Sequence, residues 1–279
     1  MGAAALFSTG GAAIKACGFG GWQVACLRSG IAALTVALLV PAARRGWNWR
    51  TAFVGVGYAV TLVLFVLGNK LTTAANTIFL QSTAPLYILL FSPLLLKEPI
   101  RRRDVMLMLL IAAGLVLFFV ELEPAATAPD PFTGNVLGAL AGLTWAFTLM
   151  GLRWLERHSE PGSEPGLASV VAGNILAFAL ALPWAWPLDS GTGADWAIIA
   201  YLGIVQVGVA YLLLARGFRH VPAFEASLLI VVEPTLSPLW AWLVHGEVPN
   251  AWALAGGATI LIATFSKTWM DQLKAPTES

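Results

Sequence analysis

Residues 74–98 read AANTIFLQSTAPLYILLFSPLLLKE, and residues 223–247 read AFEASLLIVVEPTLSPLWAWLVHGE. A shift of 149 residues lays Ala74 on Ala223, Leu80 on Leu229, Pro85 on Pro234, Leu90 on Leu239, Leu94 on Leu243, Glu98 on Glu247 and Ile111 on Ile260. Each stretch is long and apolar, holds a proline in its middle and closes on a glutamate. A helix of about 20 apolar residues spans a bilayer, so one membrane helix is present in two copies. Outward from these copies, further apolar runs lie at about 1 to 17, 22 to 41, 51 to 69, 104 to 121, 134 to 154, 167 to 187, 195 to 215 and 250 to 269. With 74 to 96 and 222 to 244 the total is ten predicted spans. Charged, Pro-rich or Gly-rich stretches separate most of them.

Composition agrees. Of the 279 residues, 58% are hydrophobic and 11% charged, against roughly 25% charged in a soluble domain. Ten spans leave no room for a soluble domain. The net charge of +1 gives no reason to expect a nucleic-acid partner. Cys17 and Cys26 are too few for a disulfide framework. No basic region precedes Lys15, so a signal peptide does not fit. Residues 1 to about 17 are the first span, short enough to suggest that the natural N-terminus extends further.

Lys and Arg in short loops stay on the cytoplasmic side. The loops after spans two, four, six and eight, with the C-terminal tail, hold 13 of the 16 basic residues, from Arg44 and Arg45 to Lys267 and Lys274. The opposite loops carry Glu121, Glu123, Asp130, Asp189 and Asp195, with Lys70 the one basic exception. Both termini are therefore predicted cytoplasmic, in a multi-pass protein of the cell inner membrane. Five spans per half, an odd number, place the second copy upside down. The fold class expected is an all-α membrane protein of ten transmembrane helices, two inverted five-helix repeats (1–133 and 134–279) around a central cavity. Inverted repeats mark secondary transporters whose site lies between the halves near the midplane.

The residues Leu71-Thr-Thr-Ala-Ala-Asn76, Ala84-Pro85-Leu86 and Leu95-Leu-Lys-Glu98, repeated as Pro222-Ala-Phe-Glu-Ala226, Glu233-Pro234 and His245-Gly-Glu247, carry a resemblance. The chain resembles the EamA-type exporters of the drug/metabolite transporter superfamily. Within that superfamily it is most similar to the YddG-type aromatic amino acid exporters. Lys97 departs from the glycine usual there. The resemblance implies a ten-helix bundle with both termini inside, a central substrate cavity and alternating access.

Glu233 stands near the centre of span nine, where a carboxylate costs about 2.5 to 3.5 kcal/mol on insertion scales unless protein or water satisfies it. It serves either proton coupling or a substrate amine, or it bonds another helix beside Pro234; the first copy manages with Ala84. Glu225 lies one turn inside the cytoplasmic end of the same helix. Arg28 sits roughly 10 Å into span two, and Lys15 lies near the outer end of span one. Either is a candidate partner for Glu233 or an anchor for a substrate carboxylate, and Lys15 alternatively snorkels to the headgroups. In span three, Tyr58, Thr61, Phe65 and Asn69 form a polar and aromatic stripe at helical spacing that should turn inward. In span six, Asn135, Gly138, Gly142 and Trp145 share a face, the glycines permitting close packing and Trp145 lying too deep for the interfacial belt. Asn76 and Gln81 on span four and Gln206 and Tyr211 on span eight are further candidates. Pro85 and Pro234, at matching places, are candidate hinges.

His158, His220 and His245 have no metal-ligand spacing, and no phosphate-cradling glycine loop appears, so neither an enzyme nor any cofactor is expected. The expected partners are the lipid bilayer and a small-molecule substrate, an amino acid or related metabolite, bound by Trp145, Tyr58, Gln81, Asn76, Tyr211 and Lys15. A monomer suffices, since ten helices can enclose a site alone. Two alternatives remain open: a proton-coupled antiporter of lipophilic cations working through Glu233, and a membrane-embedded enzyme or scaffold.

Overall fold

The computed structural model describes residues 2–95, 100–158, 165–188, 191–217 and 223–272. Lys97, Glu98, Asp189, Arg219, His220 and Lys274, and the side chains of Arg216, Glu225 and Lys267, lie outside the described residues. Every regular element among the described residues is a helix. In chain order these are α1 (Gly2–Ser8), α2 (Gly10–Ala16), α3 (Gly21–Leu39), a 3₁₀ turn (Pro41–Arg44), α4 (Trp49–Leu71), α5 (Ala74–Gln81), α6 (Ala84–Leu95) and α7 (Arg102–Leu117). Then follow α8 (Pro131–Arg157), α9 (Pro165–Ala185), α10 (Gly193–Ala200), a π-helical stretch (Tyr201–Val209), α11 (Ala210–Gly217), α12 (Ala223–His245) and α13 (Ala251–Gln272). Each falls on an apolar run or at its end.

The polar residues between the runs start the helices. Asn48 accepts the Arg50 and Thr51 amides, Thr73 accepts the Asn76 amide and Asp130 accepts the Thr133 amide, at 2.9 to 3.1 Å. These bonds satisfy amides that have no partner inside the helix. Among the described residues, six helical runs are long and apolar enough to cross a membrane: Gly21–Leu39, Trp49–Leu71, Ala74–Leu95, Pro131–Arg157, Pro165–Ala185 and Gly193–Leu213. Ala251–Ser266 is a shorter apolar helix. Leu34, Phe53, Leu94, Met106, Leu109 and Ile262 are exposed, as hydrocarbon surroundings allow. Trp47, Trp49, Trp184, Trp186, Trp196 and Trp252, near the ends of the apolar runs, are exposed as well.

Helix α4 is central: it packs against α8 and α9, while α3 packs against α9 and the π-helical stretch. Helix α7 pairs with α13, and α12 lies against α1, α2 and α5. The glycine face of α8 allows the approach of α5, since a Cβ on Gly142 would stand 2.7 Å from the Leu80 carbonyl oxygen. The matched prolines behave differently. The helical run breaks at Ser82 and Thr83, so Pro85 enters the first turn of α6, where its missing N–H costs nothing. Pro234 and Pro238 lie inside the continuous helix α12.

At one end of the bundle, Lys15 and Glu247 form an ion pair at 2.8 Å with side chains 5% and 1% exposed. Lys15 also donates to the carbonyls of Thr72 and Thr127, and Glu247 accepts the Ala74 amide at 3.0 Å, at the start of α5. This group ties α2, α5, the chain before α8 and the end of α12 together. Removing one member of a buried pair leaves an uncompensated charge worth about 3 to 5 kcal/mol of stability. Glu247→Gln is expected to lower the unfolding midpoint of the purified protein in detergent markedly. The double variant Lys15→Met, Glu247→Leu should be closer to wild type than either single charge removal.

Candidate functional site

Between α11 and α4, the Tyr211 hydroxyl donates to the Tyr58 hydroxyl at 2.8 Å. Both tyrosines are buried, and their rings meet edge to face at 6.4 Å. Trp145 on α8 lies 6.1 Å from the Tyr58 ring, and Phe7 on α1 lies 5.3 Å from the Tyr211 ring. Four aromatic rings therefore form one cluster joining residues of the N-terminal and C-terminal halves. The inward stripe of α4 is confirmed in Tyr58, Thr61 and Asn69, all buried, with Thr61 bonded to Thr144 of α8 at 2.8 Å.

Charge is concentrated beside this cluster. Arg28 on α3 is 3% exposed and lies within electrostatic reach of both tyrosine hydroxyls. Its Nε and Nη1 find no acceptor among the described residues. A buried cation so placed is costly unless an anion meets it. Glu233 on α12 also acts on both hydroxyls, yet it forms no ion pair with Arg28 among the described residues. Asn174 on α9 is fully buried beside Tyr58; its Nδ2 donates to the Val170 carbonyl at 2.9 Å and its Oδ1 has no donor.

Trp145, Tyr58 and Tyr211, named from sequence, are thus in contact, with Arg28 and Glu233 within electrostatic reach of the tyrosines. Others do not join them. Lys15 is held by Glu247 and two carbonyls, which answers both the snorkelling alternative and the pairing with Glu233. Asn76 donates to Thr72 and to the Asn135 Oδ1, at 3.3 and 3.2 Å, in a contact between α5 and α8. It also lines a polar cavity of about 440 Å³ with Thr73, Glu121, Glu247 and Asn250. Gln81 is half-buried at the last residue of α5. Gln206 donates to the Phe7 carbonyl at 3.3 Å. An apolar cleft of about 380 Å³, lined by Thr9, Ala12, Ala16, Ile198, Tyr201 and Trp240, lies apart from the tyrosine pair.

Phe7 and Asn174 escape a reading of single spans, because a lone Phe or Asn in an apolar run carries no distinguishing signal. A second repeat does carry one: Val54-Gly-Val-Gly-Tyr58 recurs as Val207-Gly-Val-Ala-Tyr211, which equates the two tyrosines directly. Close packing holds the first of them. A Cβ on Gly173 of α9 would stand 2.6 Å from Tyr58 Cδ1, so any larger residue must push the ring out of place.

The chain is similar to known transporters over most of its length. It is 24% identical to the pseudopaline exporter CntI of Pseudomonas aeruginosa, over 75% of this chain and 71% of that protein. It is 26% identical to the aromatic amino acid exporter YddG of Ancylobacter novellus, over 69% of this chain and 66% of that one. A solved crystal structure, 21% identical, superposes with a TM-score of 0.63 and covers 98% of this chain and 96% of its own, which places the two in one fold. The profile of the EamA-like transporter family matches two stretches, residues 1–120 and 132–267. With nearly the whole chain so matched, the protein belongs to the EamA-like transporter family, part of the drug/metabolite transporter superfamily.

Proposed function

We propose that this transporter exports amino acids, above all aromatic and other apolar ones, or related small metabolites across the cell inner membrane by alternating access. Its frame would be ten spans in two inverted repeats, 1–133 and 134–279, with both termini cytoplasmic. The separate matches of the family profile to two stretches support that division. So does the pairing of the helices. Helix α4 packs on α9 as the π-helical stretch packs on α3, and α5 packs on α8 as α12 packs on α1. Phe7 sits on Tyr211 as Trp145 sits on Tyr58.

The observation that carries the reading is the Tyr58–Tyr211 hydroxyl bond, which joins the matched tyrosines of the two halves amid four aromatic rings. Rings of that kind suit an apolar side chain, and the hydroxyls, Asn174, Arg28 and Glu233 offer polar groups for the rest of an amphipathic substrate. The names of the exporter relatives agree with export and with an aromatic amino acid as one substrate. In this reading the Lys15–Glu247 group closes the outer side, and its opening is one half of the transport cycle.

Uptake of phenylalanine, threonine and tetraphenylphosphonium into inside-out vesicles, with and without a pH gradient, tests the function. Saturable phenylalanine uptake is expected, reduced at least about tenfold by Trp145→Ala, on the scale of a deleted aromatic contact in a buried site. Gly173→Leu, which displaces Tyr58, should reduce it as strongly. Tetraphenylphosphonium uptake that needs the gradient and is abolished by Glu233→Gln, without amino acid uptake, would contradict the proposal.

A further inference from the structure

We infer that Arg28 and Glu233 are the two poles of a zwitterion site. Arg28 receives the carboxylate of an α-amino acid, and Glu233, with Asn174 Oδ1, receives its ammonium group. The inference rests on the exporter reading and deepens it. The aromatic frame is matched between the halves, Tyr58 with Tyr211, whereas its charges are not. Glu233 stands where the first copy has Ala84. Arg28 on α3 lies within electrostatic reach of the tyrosine pair, while α9, on which α3 packs, offers the neutral Asn174. A site built by symmetry alone would carry the same charge twice or none. One cation and one anion, on opposite halves and not paired with each other, match a ligand whose two ends differ.

The buried polar atoms point the same way. Arg28 keeps two N–H groups and Asn174 keeps one carbonyl oxygen without a partner among the described residues, although both side chains are at least nine-tenths buried. Buried groups of this kind ordinarily find partners. A carboxylate supplies acceptors for the first, and an ammonium supplies a donor for the second. The same arrangement discriminates against a lipophilic cation, which would bring its charge toward an unneutralised guanidinium without offering it an acceptor.

Equilibrium binding to the purified protein in lipid nanodiscs separates the poles with three probes: phenylalanine, phenethylamine, which lacks the carboxylate, and 3-phenylpropionate, which lacks the ammonium. Arg28→Gln is expected to weaken phenylalanine and 3-phenylpropionate about 10- to 100-fold, the range of a lost charged hydrogen bond, and to leave phenethylamine unweakened or tighter, because the guanidinium that repels its charge is gone. Glu233→Gln should weaken phenylalanine and phenethylamine and spare 3-phenylpropionate. Arg28→Lys keeps the charge and should keep the preference for carboxylates, which serves as the test if the glutamine variant fails to fold. Equal losses on all three probes, or no loss, would overturn the two poles while leaving the exporter reading standing. Failure of the wild-type protein to bind phenylalanine at all would remove both.

Discussion

A charge carried into hydrocarbon has no water to hold it, so the protein must supply its partner. That constraint organises this molecule from its ends to its centre. Most of the cationic residues are confined to the segments between the apolar runs. Among the described residues, the cations buried between the helices differ in how they are answered. Lys15 has Glu247 and two carbonyls, and Lys70 donates to the Cys17 carbonyl at 2.6 Å. Arg28 is buried with two N–H groups unanswered among the described residues. The answered charges fasten helices together; the unanswered one lies beside the tyrosine pair, where a ligand is the missing partner in the account proposed here.

The same constraint explains what a single sequence reveals. Helices hide their backbone from lipid, so long apolar runs broken by loop residues are visible directly, and α3 through α13 fall close to the predicted spans. Rotation about each helix axis is harder to read. A membrane helix is apolar both toward lipid and toward its neighbours, so in α3 and α9 only a few polar residues, Arg28 and Asn174 among them, mark the inner face. Tyr58, Trp145 and Tyr211 were nevertheless identifiable, because large rings with polar edges stand far from the interfaces. The partner of Lys15 was not, because Glu247 lies 232 residues away and only the fold brings them together. Asn76 divides its chemistry: its Nδ2 bonds Thr72 and Asn135 in a helix contact, while its Oδ1 has no donor among the described residues and the residue lines the polar cavity beside Glu247. The π-helical Tyr201–Val209 has no sequence signal comparable to a proline, and Pro234, which has that signal, leaves α12 continuous.

Matched frame and unmatched chemistry are the two halves of the proposed design. In that proposal, a frame in which α4 and the helix bearing Tyr211 play equivalent parts lets each half move against the other, the hydroxyl bond between them opening to admit substrate. A substrate with a distinct head and tail needs a site without that equivalence. In the proposed design Arg28, Asn174 and Glu233 break that equivalence without disturbing the aromatic cluster, so the charged ends of the cargo are read by residues outside the matched frame.

The most direct measurement is an experimental structure of the protein with phenylalanine bound. The account predicts the amino acid at the tyrosine pair, its ring against Trp145 and Tyr58, with the Tyr58–Tyr211 hydroxyl bond opened to admit it. Phenylalanine seated instead in the apolar cleft between Ala12, Ile198 and Trp240, with the tyrosine bond intact, would contradict it.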